Sequence, residues 1–459
     1  MVSAGRTDST GDDALTSLVL RLDPDEVTAL LVRAALEHDD VARAVRLAAA
    51  SAPERLTVLR AAVDQGLRTR RFLGYHESSQ WAIDGRPIVD ALGVEVANHP
   101  SRELVTLLER AVGHVVKVIL HADDSDGLIG GLATDLLELH AQACDAGVAD
   151  PVALGRWMVR FTFEDQHFFV VDPVRYAAAL GERGIATYRS EVTKRCVSVA
   201  EQAGVHDRPF AESYALERLA VLDRDVPRLV ELLGGDLTAP YQFIRVAEAM
   251  VELGDDDAAL AWSKRGITET TGWQVAKLYD LATRILDDRG DTTAVLVLRR
   301  EQHQRMPSSS TYALLRSAAE SDGDWDLERP DARRVLEARD PGGYIDALLS
   351  DGEPTAAWTT AVANPGWELG DRRWEHLAEA REPDDPAAAM DTYLRLADSA
   401  LRDANRNAYR VAVRYLEAAR RAATSAQLTS ALDEHITALR ERHRRRPTLI
   451  ALLDKAKLR

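Results

Sequence analysis

The sequence predicts an all-α chain, an α-solenoid in which helical hairpins stack one on the next. Three observations point there. Apolar residues recur at helical spacing along most of the chain, and Asp-Pro steps punctuate it where helices restart. In the second half, turns made of Gly and an acid return at a near-constant interval.

At 459 residues the chain is too long for one compact core unless it is an elongated stack or several domains. Aromatics make up only 6%, while Ala, Leu and Arg abound, which favours helix. The balance of 57 basic against 74 acidic residues gives a net charge of −17. Such a surface resists general nucleic-acid binding but leaves room for a local basic patch. The only cysteines are Cys144 and Cys196, so neither a disulfide framework nor a zinc site made of cysteine alone is expected, which fits a reducing cytoplasm. Apolar runs are short, and Lys117 interrupts the one around Val115–Leu120, so no membrane span is expected.

Residues 1–13 are small and polar, lack the apolar core of a signal peptide, and read as a disordered tail. An N-terminal domain of helical hairpins is expected over 14–205, with a first helix from about Ala14 and a restart at Asp23-Pro24-Asp25-Glu26. There Asp stands at the N-cap, Pro in the first turn and the acids near the positive end of the helix dipole. The same device returns at Asp150-Pro151, Asp172-Pro173, Asp340-Pro341 and Asp385-Pro386. The clearest hairpin runs out from Ser101 to His121, turns at Asp123-Asp124-Ser125-Asp126-Gly127 and returns to Gly147. Leu104, Leu107, Leu108, Ala111, Val115 and Val118 form the outgoing stripe; Leu128, Leu132, Leu136, Leu139 and Ala143 form the returning one. Neither helix can bury its stripe alone, so each needs the other and a neighbouring pair. Phe161–Val171 is the one strand-like stretch; lacking a pairing partner, it reads as an apolar loop packed under the helices.

Over 206–459 helical repeats are expected. Gly254-Asp255, Gly290-Asp291, Gly323-Asp324 and Gly352-Glu353 place their glycines 36, 33 and 29 residues apart. A two-helix unit of about 34 residues is the tetratricopeptide period, with Gly ending one helix and the acid opening the next. This half is therefore read as tetratricopeptide-like, with Trp262, Trp273, Trp325, Trp358, Trp367 and Trp374 packing between repeats. The chain closes with the basic run Arg440–Arg446 and a short helix, Leu449–Lys457.

Two stretches resemble known families. Residues from about Arg70 to Glu191 resemble an uncharacterised bacterial helical domain, through Arg71-Phe72 with Tyr75, Asp123–Gly127, Leu139-His140 with Cys144, and Asp150-Pro151. Residues from about Leu253 onward resemble the helical-repeat region that follows the zinc finger in bacterial SWIM zinc-finger proteins. The shared features are Gly254 to Gly266, Gly323-Asp324-Trp325, Gly352-Glu353, Arg442-His443-Arg444-Arg445-Arg446-Pro447 and Leu452-Leu453-Asp454-Lys455-Ala456. The paired Cys-x-Cys and Cys-x-His of a SWIM finger are missing. The resemblance thus implies a helical scaffold separated from its finger and weakens any DNA-associated role.

Candidate sites are few. Asp123–Gly127 invites a calcium-loop reading, but the first ligand position is Ala122 and the closing one Ala133, so it reads as a turn that caps the returning helix. His140 and Cys144 are four apart on one helix but have no second ligand pair nearby, and read as a core pair. Arg68, Arg70 and Arg71 precede Phe72, Tyr75 and Trp81. They either hold an anion or stack on bases, or they form a solvated helix end. Within the closing run, Arg442, Arg444, Arg445 and Arg446 read as a docking site for an acidic partner together with pairing to the chain's own acids, ahead of phosphate binding. Glu201 or Asp172 beside His206 or His167 is the nearest approach to an acid–base pair, and no phosphate loop or nucleophile elbow is present. The expected function is a cytoplasmic, non-catalytic scaffold or adaptor offering a concave surface to a protein or peptide partner, without cofactor or metal. The alternatives are a nucleic-acid-associated accessory factor related to SWIM proteins, and an enzyme with its site in the groove.

Overall fold

The computed structural model describes residues 17–165, 169–203, 210–323 and 325–458. The expected tail over 1–13, the helix start at Ala14, the 205/206 boundary and Asp324 lie outside them. Among the described residues the chain is helical, with no strand and an isolated bridge between Leu73 and Ala122. No described helix is long and apolar enough to cross a membrane.

The first unit, which ends at Gly235, contains α1 (Pro24–Glu37), α2 (Asp39–Ala49), α3 (Ala52–Gly66), α4 (Tyr75–Asn98), α5 (Arg102–Ile119), α6 (Leu128–Ala143), α7 (Pro151–Arg160), α8 (Ala177–Ala203), α9 (Phe210–Asp223) and α10 (Val226–Gly234). Near its end α9 puts Ala215 and Leu219 into this unit's core, and α10 packs on α9. The central hairpin is α5 and α6. Ser101 Oγ caps α5 by accepting from the Leu104 amide at 3.2 Å. Every residue of the outgoing stripe is buried, and α6 packs on both α4 and α5. On α6, Leu132, Leu136 and Ala143 are buried, but Leu128 is exposed because the helix only begins there. No residue of α1 is buried.

The strand-like stretch is packed, though not as a loop throughout. A π-helical turn, Phe161–Asp165, carries on from α7. Phe161 and Val171 are buried, Phe163 and Phe169 pack on the same core, and residues 166–168 lie outside the described set. Four of the five Asp-Pro steps cap helices, with Asp23, Asp150, Asp340 and Asp385 each accepting a main-chain amide. Asp172 instead heads a turn before α8, accepting from the Val174 amide at 2.9 Å, and its carboxylate grips Arg218 at 2.9 Å.

The second unit, from Asp236, contains α11 (Pro240–Glu252), α12 (Asp256–Glu269), α13 (Val275–Asp288), α14 (Thr292–Arg305), α15 (Ser309–Asp322), α16 (Trp325–Arg339), α17 (Pro341–Ser350), α18 (Pro354–Ala363), α19 (Gly370–Arg381), α20 (Pro386–Ala400), α21 (Arg406–Ala422), α22 (Ala426–Arg442) and α23 (Pro447–Lys455). Helices pack in neighbouring pairs. Gly254, Gly290, Gly323 and Gly352 turn the first four hairpins with φ of 72°, 72°, 83° and 77°, a backbone region that costs a side chain dearly. Asp255 and Asp291 then cap the next helix through the Ala258 and Ala294 amides at 2.9 and 3.0 Å. Glu353 stands at the cap position, but its carboxylate goes to Arg333 at 2.8 Å.

This unit has a string of overlapping apolar clusters. One spans α11 to α14, the next α14 to α17, the next α17 to α19, and the last α19 to α23. Each shares a helix with the next, as expected when every pair covers the one before it. Trp262 tilts against Phe243, Trp325 stands edge-on to Tyr312, Trp367 to Tyr344 and Trp358 to Trp374. Trp273 departs from the expected packing and is 73% exposed. Polar bonds add to the apolar clusters. Asp351, only 4% exposed at its side chain, accepts from Arg333 Nε at 3.1 Å, from Arg316 at 3.0 Å and from the Tyr312 hydroxyl, so one turn acid ties α15 and α16 to the end of α17.

Two expectations follow. Asp351→Ala removes the buried acceptor that Arg333, Arg316 and Tyr312 share, leaving Arg333 only Glu353 as a carboxylate partner, and should cost about 3 kcal/mol in urea unfolding, whereas Asp257→Ala, which removes an 89%-exposed partner of Arg289, should cost under about 0.5 kcal/mol. At Gly266 a Cβ would stand 2.6 Å from Phe243 Cβ and 2.8 Å from Leu278 Cδ1. Helix propensity favours Ala by about 1 kcal/mol, but Phe243 Cβ is fixed to its backbone, and overpacking costs about 1–3 kcal/mol. Gly266→Ala should therefore lower the thermal midpoint; an increase would show that α12 can move away.

Candidate functional site

Two loops of the first unit are stitched by main-chain bonds. The Leu73 amide donates to the His121 carbonyl at 2.9 Å, and the Asp123 amide donates to the Leu73 carbonyl at 2.9 Å. The stitch sets the loop after α3, with Arg68, Arg70 and Arg71, against the C-terminal end of α5. A cleft of about 450 Å³ lies between them, lined by Arg68, Thr69, Arg70, His114, Lys117 and His121 among others. Arg68, Arg70 and Lys117 are exposed, and none of the three has a hydrogen-bond or ion-pair partner among the described residues. His114 Nε2 lies 3.1 Å from Asp64 Oδ1, which also accepts from Arg110 Nε at 2.6 Å. The bond from Arg110, then that from His114, pulls the Asp64 carboxyl from 3.8 down to about 2. Arg71 pairs with Glu77 at 3.4 Å and does not line the cleft; Phe72 and Tyr75 stand exposed. Sequence reasoning named two of these cations and missed His114, Lys117 and His121. The available signal was Lys117, a charge interrupting an apolar helix.

The other early candidates have structural roles. Asp124 accepts from the Ile129 and Gly130 amides at 2.9 and 2.8 Å, and Asp126 accepts from the Leu128 amide at 3.2 Å and from the Ser79 hydroxyl. These carboxylates cap α6. No group of three or more His, Cys, Asp or Glu side chains arranged to hold a metal occurs among the described residues. His140 and Cys144 are both buried, with Sγ 3.9 Å from Nε2. The Tyr176 hydroxyl donates to the Leu137 carbonyl at 3.1 Å and accepts from His140 Nδ1 at 2.9 Å. Burial pushes the Cys144 thiol up to about 12, which keeps it protonated and a poor metal ligand. His167, His206 and the side chain of Glu201 lie outside the described residues, and Asp172 is held by Arg218.

The closing basic run is engaged largely within its own unit. Arg440 reaches Asp454 at 2.6 Å and the Leu458 carbonyl at 2.9 Å. Arg442 lies 3.5 Å from Asp398, and Arg444 bonds Glu441 one turn away. Arg446 donates to the Leu401 carbonyl at 2.8 Å and stands 5.8 Å over the Tyr409 ring. Burial, then Arg446 and Arg442, holds the His443 imidazole below its usual range. Arg445 is exposed and has no partner among the described residues.

The second unit carries a larger groove of about 740 Å³. Ser309 and Ala313 from α15, Asp346 and Leu349 from α17, and Arg372 and His376 from α19 line it. Arg373 meets Asp346 at 3.1 Å and links α19 to α17 there. Arg372 and His376 are exposed, without a partner among the described residues.

Because Arg446 completes a carbonyl cap and Arg445 has no hydrogen-bond or ion-pair partner among the described residues, Arg446→Ala should destabilise the protein by about 1 kcal/mol in chemical denaturation, and Arg445→Ala should leave the midpoint unchanged. Equal effects would mean that the run acts only through its net charge. No protein-family model matches this chain, and no curated protein matches it.

Proposed function

We propose that the chain is a non-catalytic scaffold or adaptor whose second unit, a tetratricopeptide-like stack, receives a protein or peptide partner. The observation that carries this is the groove of about 740 Å³ lined by α15, α17 and α19, the first helices of three successive hairpins. Stacked hairpins align such helices along one extended binding surface. The guanidinium of Arg372, without a partner among the described residues, favours an acidic side chain on the partner. The nucleic-acid alternative, suggested by the likeness to SWIM proteins, asks for a basic track open to phosphates. Here the closing arginines are turned largely to the chain's own acids and carbonyls, which favours the protein partner. Cys144 and Cys196 are not joined in a disulfide, which suits a reducing, cytoplasmic setting.

A random peptide library displayed on phage and selected on the full chain tests this. Selected peptides should carry an acidic residue and lose about tenfold in affinity against Arg372→Glu, a loss equivalent to about 1.4 kcal/mol. Selection of no peptide above background, or equal binding to the variant, would remove the groove from the account.

A further inference from the structure

We propose that the cleft between the end of α3 and the end of α5 binds a small phosphate-bearing molecule, of the phosphomonoester or diphosphate class. The proposal concerns the first unit and stands whether or not the groove of the second takes a peptide.

Some arginines of this unit meet carboxylates: Arg86 meets Asp135, Arg110 meets Asp64, Arg175 meets Glu138 and Asp145, and Arg189 meets Asp223. Others, such as Arg46 and Arg60, have no partner among the described residues, and what sets the cleft apart is that three such cations line it together. In a chain with a net charge of −17, acids are in surplus, yet Arg68, Arg70 and Lys117 line one cleft with no partner among the described residues. Like charges brought together repel, and an anion between them removes the repulsion. Helix dipoles explain part of the arrangement, since Lys117 sits in the last turn of α5 and Arg68 just follows α3. They do not account for Arg70, or for the stitch that holds the two segments together.

The stitch makes the cleft pre-organised. Two main-chain bonds join Leu73 to His121 and Asp123, and the Ser78 hydroxyl donates to the Asp123 carbonyl at 2.6 Å. Asp64 is occupied with Arg110 and His114, so its charge is already engaged. Guanidinium forks meet phosphate oxygens two at a time, and the ammonium adds a point charge. A volume of about 450 Å³ exceeds one phosphate ion and matches a small organic phosphate. The net charge of −17 on the chain as a whole disfavours a long polyanion, which argues against nucleic acid.

Isothermal titration calorimetry of the full chain with inorganic pyrophosphate and with adenosine diphosphate tests the site. Binding of either should weaken as salt rises. It should fall by about tenfold or more in the triple variant Arg68→Ala, Arg70→Ala, Lys117→Ala. It should vanish in Lys117→Glu and stay unchanged in Arg334→Ala, which removes an exposed cation of the other unit. Preference for adenosine diphosphate would mark an organic ligand, and preference for pyrophosphate an inorganic one; both support the cleft. Circular dichroism melts check that the variants fold, and if the triple variant does not, Lys117→Glu decides alone. Three results would overturn the proposal: no heat from either probe at millimolar concentration, an equal loss in Arg334→Ala, or binding of a single-stranded oligonucleotide without binding of the two small probes.

Discussion

A helix with one apolar stripe has to be covered along that stripe, and a second helix covers only part of it. The remainder faces outward and has to be covered by a third. In the second unit this requirement is met locally: α14, α17 and α19 each serve two apolar clusters, one on either side. The core is therefore passed along from pair to pair without a centre. In the first unit the same requirement is met by convergence, with residues from α3 to α9 sharing one cluster. α1 stands apart, since Leu30, Leu31 and Val32 are exposed and it buries nothing.

Polar bonds then fix the order that apolar packing permits. Pairs of similar helices can slide or exchange, because Leu and Ala stripes discriminate weakly between registers. Asp351 does not have that freedom, since it is buried and satisfied only when Arg333, Arg316 and Tyr312 arrive together. His303 acts in the same way: its Nε2 lies 3.0 Å from the Ala332 carbonyl and therefore donates, leaving Nδ1 to accept from Thr311 at 3.0 Å. Burial holds this imidazole below its usual range, which keeps it neutral in the fold. Such groups add specificity through the penalty for leaving them unmet.

The sequence showed clearly whatever is decided within a few residues. Caps at Asp23, Asp150, Asp255 and Asp291, and the positive-φ turns at Gly254 and Gly290, depend on immediate neighbours. The all-helical class and the pairing of helices follow from those local signals. Contacts between distant segments were not readable in the same way. Lys117 and Arg70 are brought together by a bridge between Leu73 and Ala122 that no periodicity announces. Whether α9 joins the core before it likewise depends on a distant neighbour, the one that buries Ala215 and Leu219. From sequence the closing arginines read as a docking site together with self-pairing; the fold turns Arg446 to the Leu401 carbonyl and leaves Arg445 exposed, a difference between neighbours that no local pattern marks.

The two candidate sites differ in what holds them, and the difference bears on what each can bind. The cleft of the first unit is fixed by main-chain bonds, which do not rearrange without disturbing α5 and α6. With the backbone already held, only the side chains of Arg68, Arg70 and Lys117 lose freedom on meeting a compact anion, so small size in the ligand is less of a handicap there. The groove of the second unit is linked by Asp346 and Arg373, whose side chains are each about a third exposed. A pair that wet is worth little, and its opening costs correspondingly little. Such a surface can adjust its charges to an extended partner, gaining contact area along α15, α17 and α19 in place of pre-organisation. Rigidity thus suits the cleft to a compact phosphate, and pliancy suits the groove to a peptide.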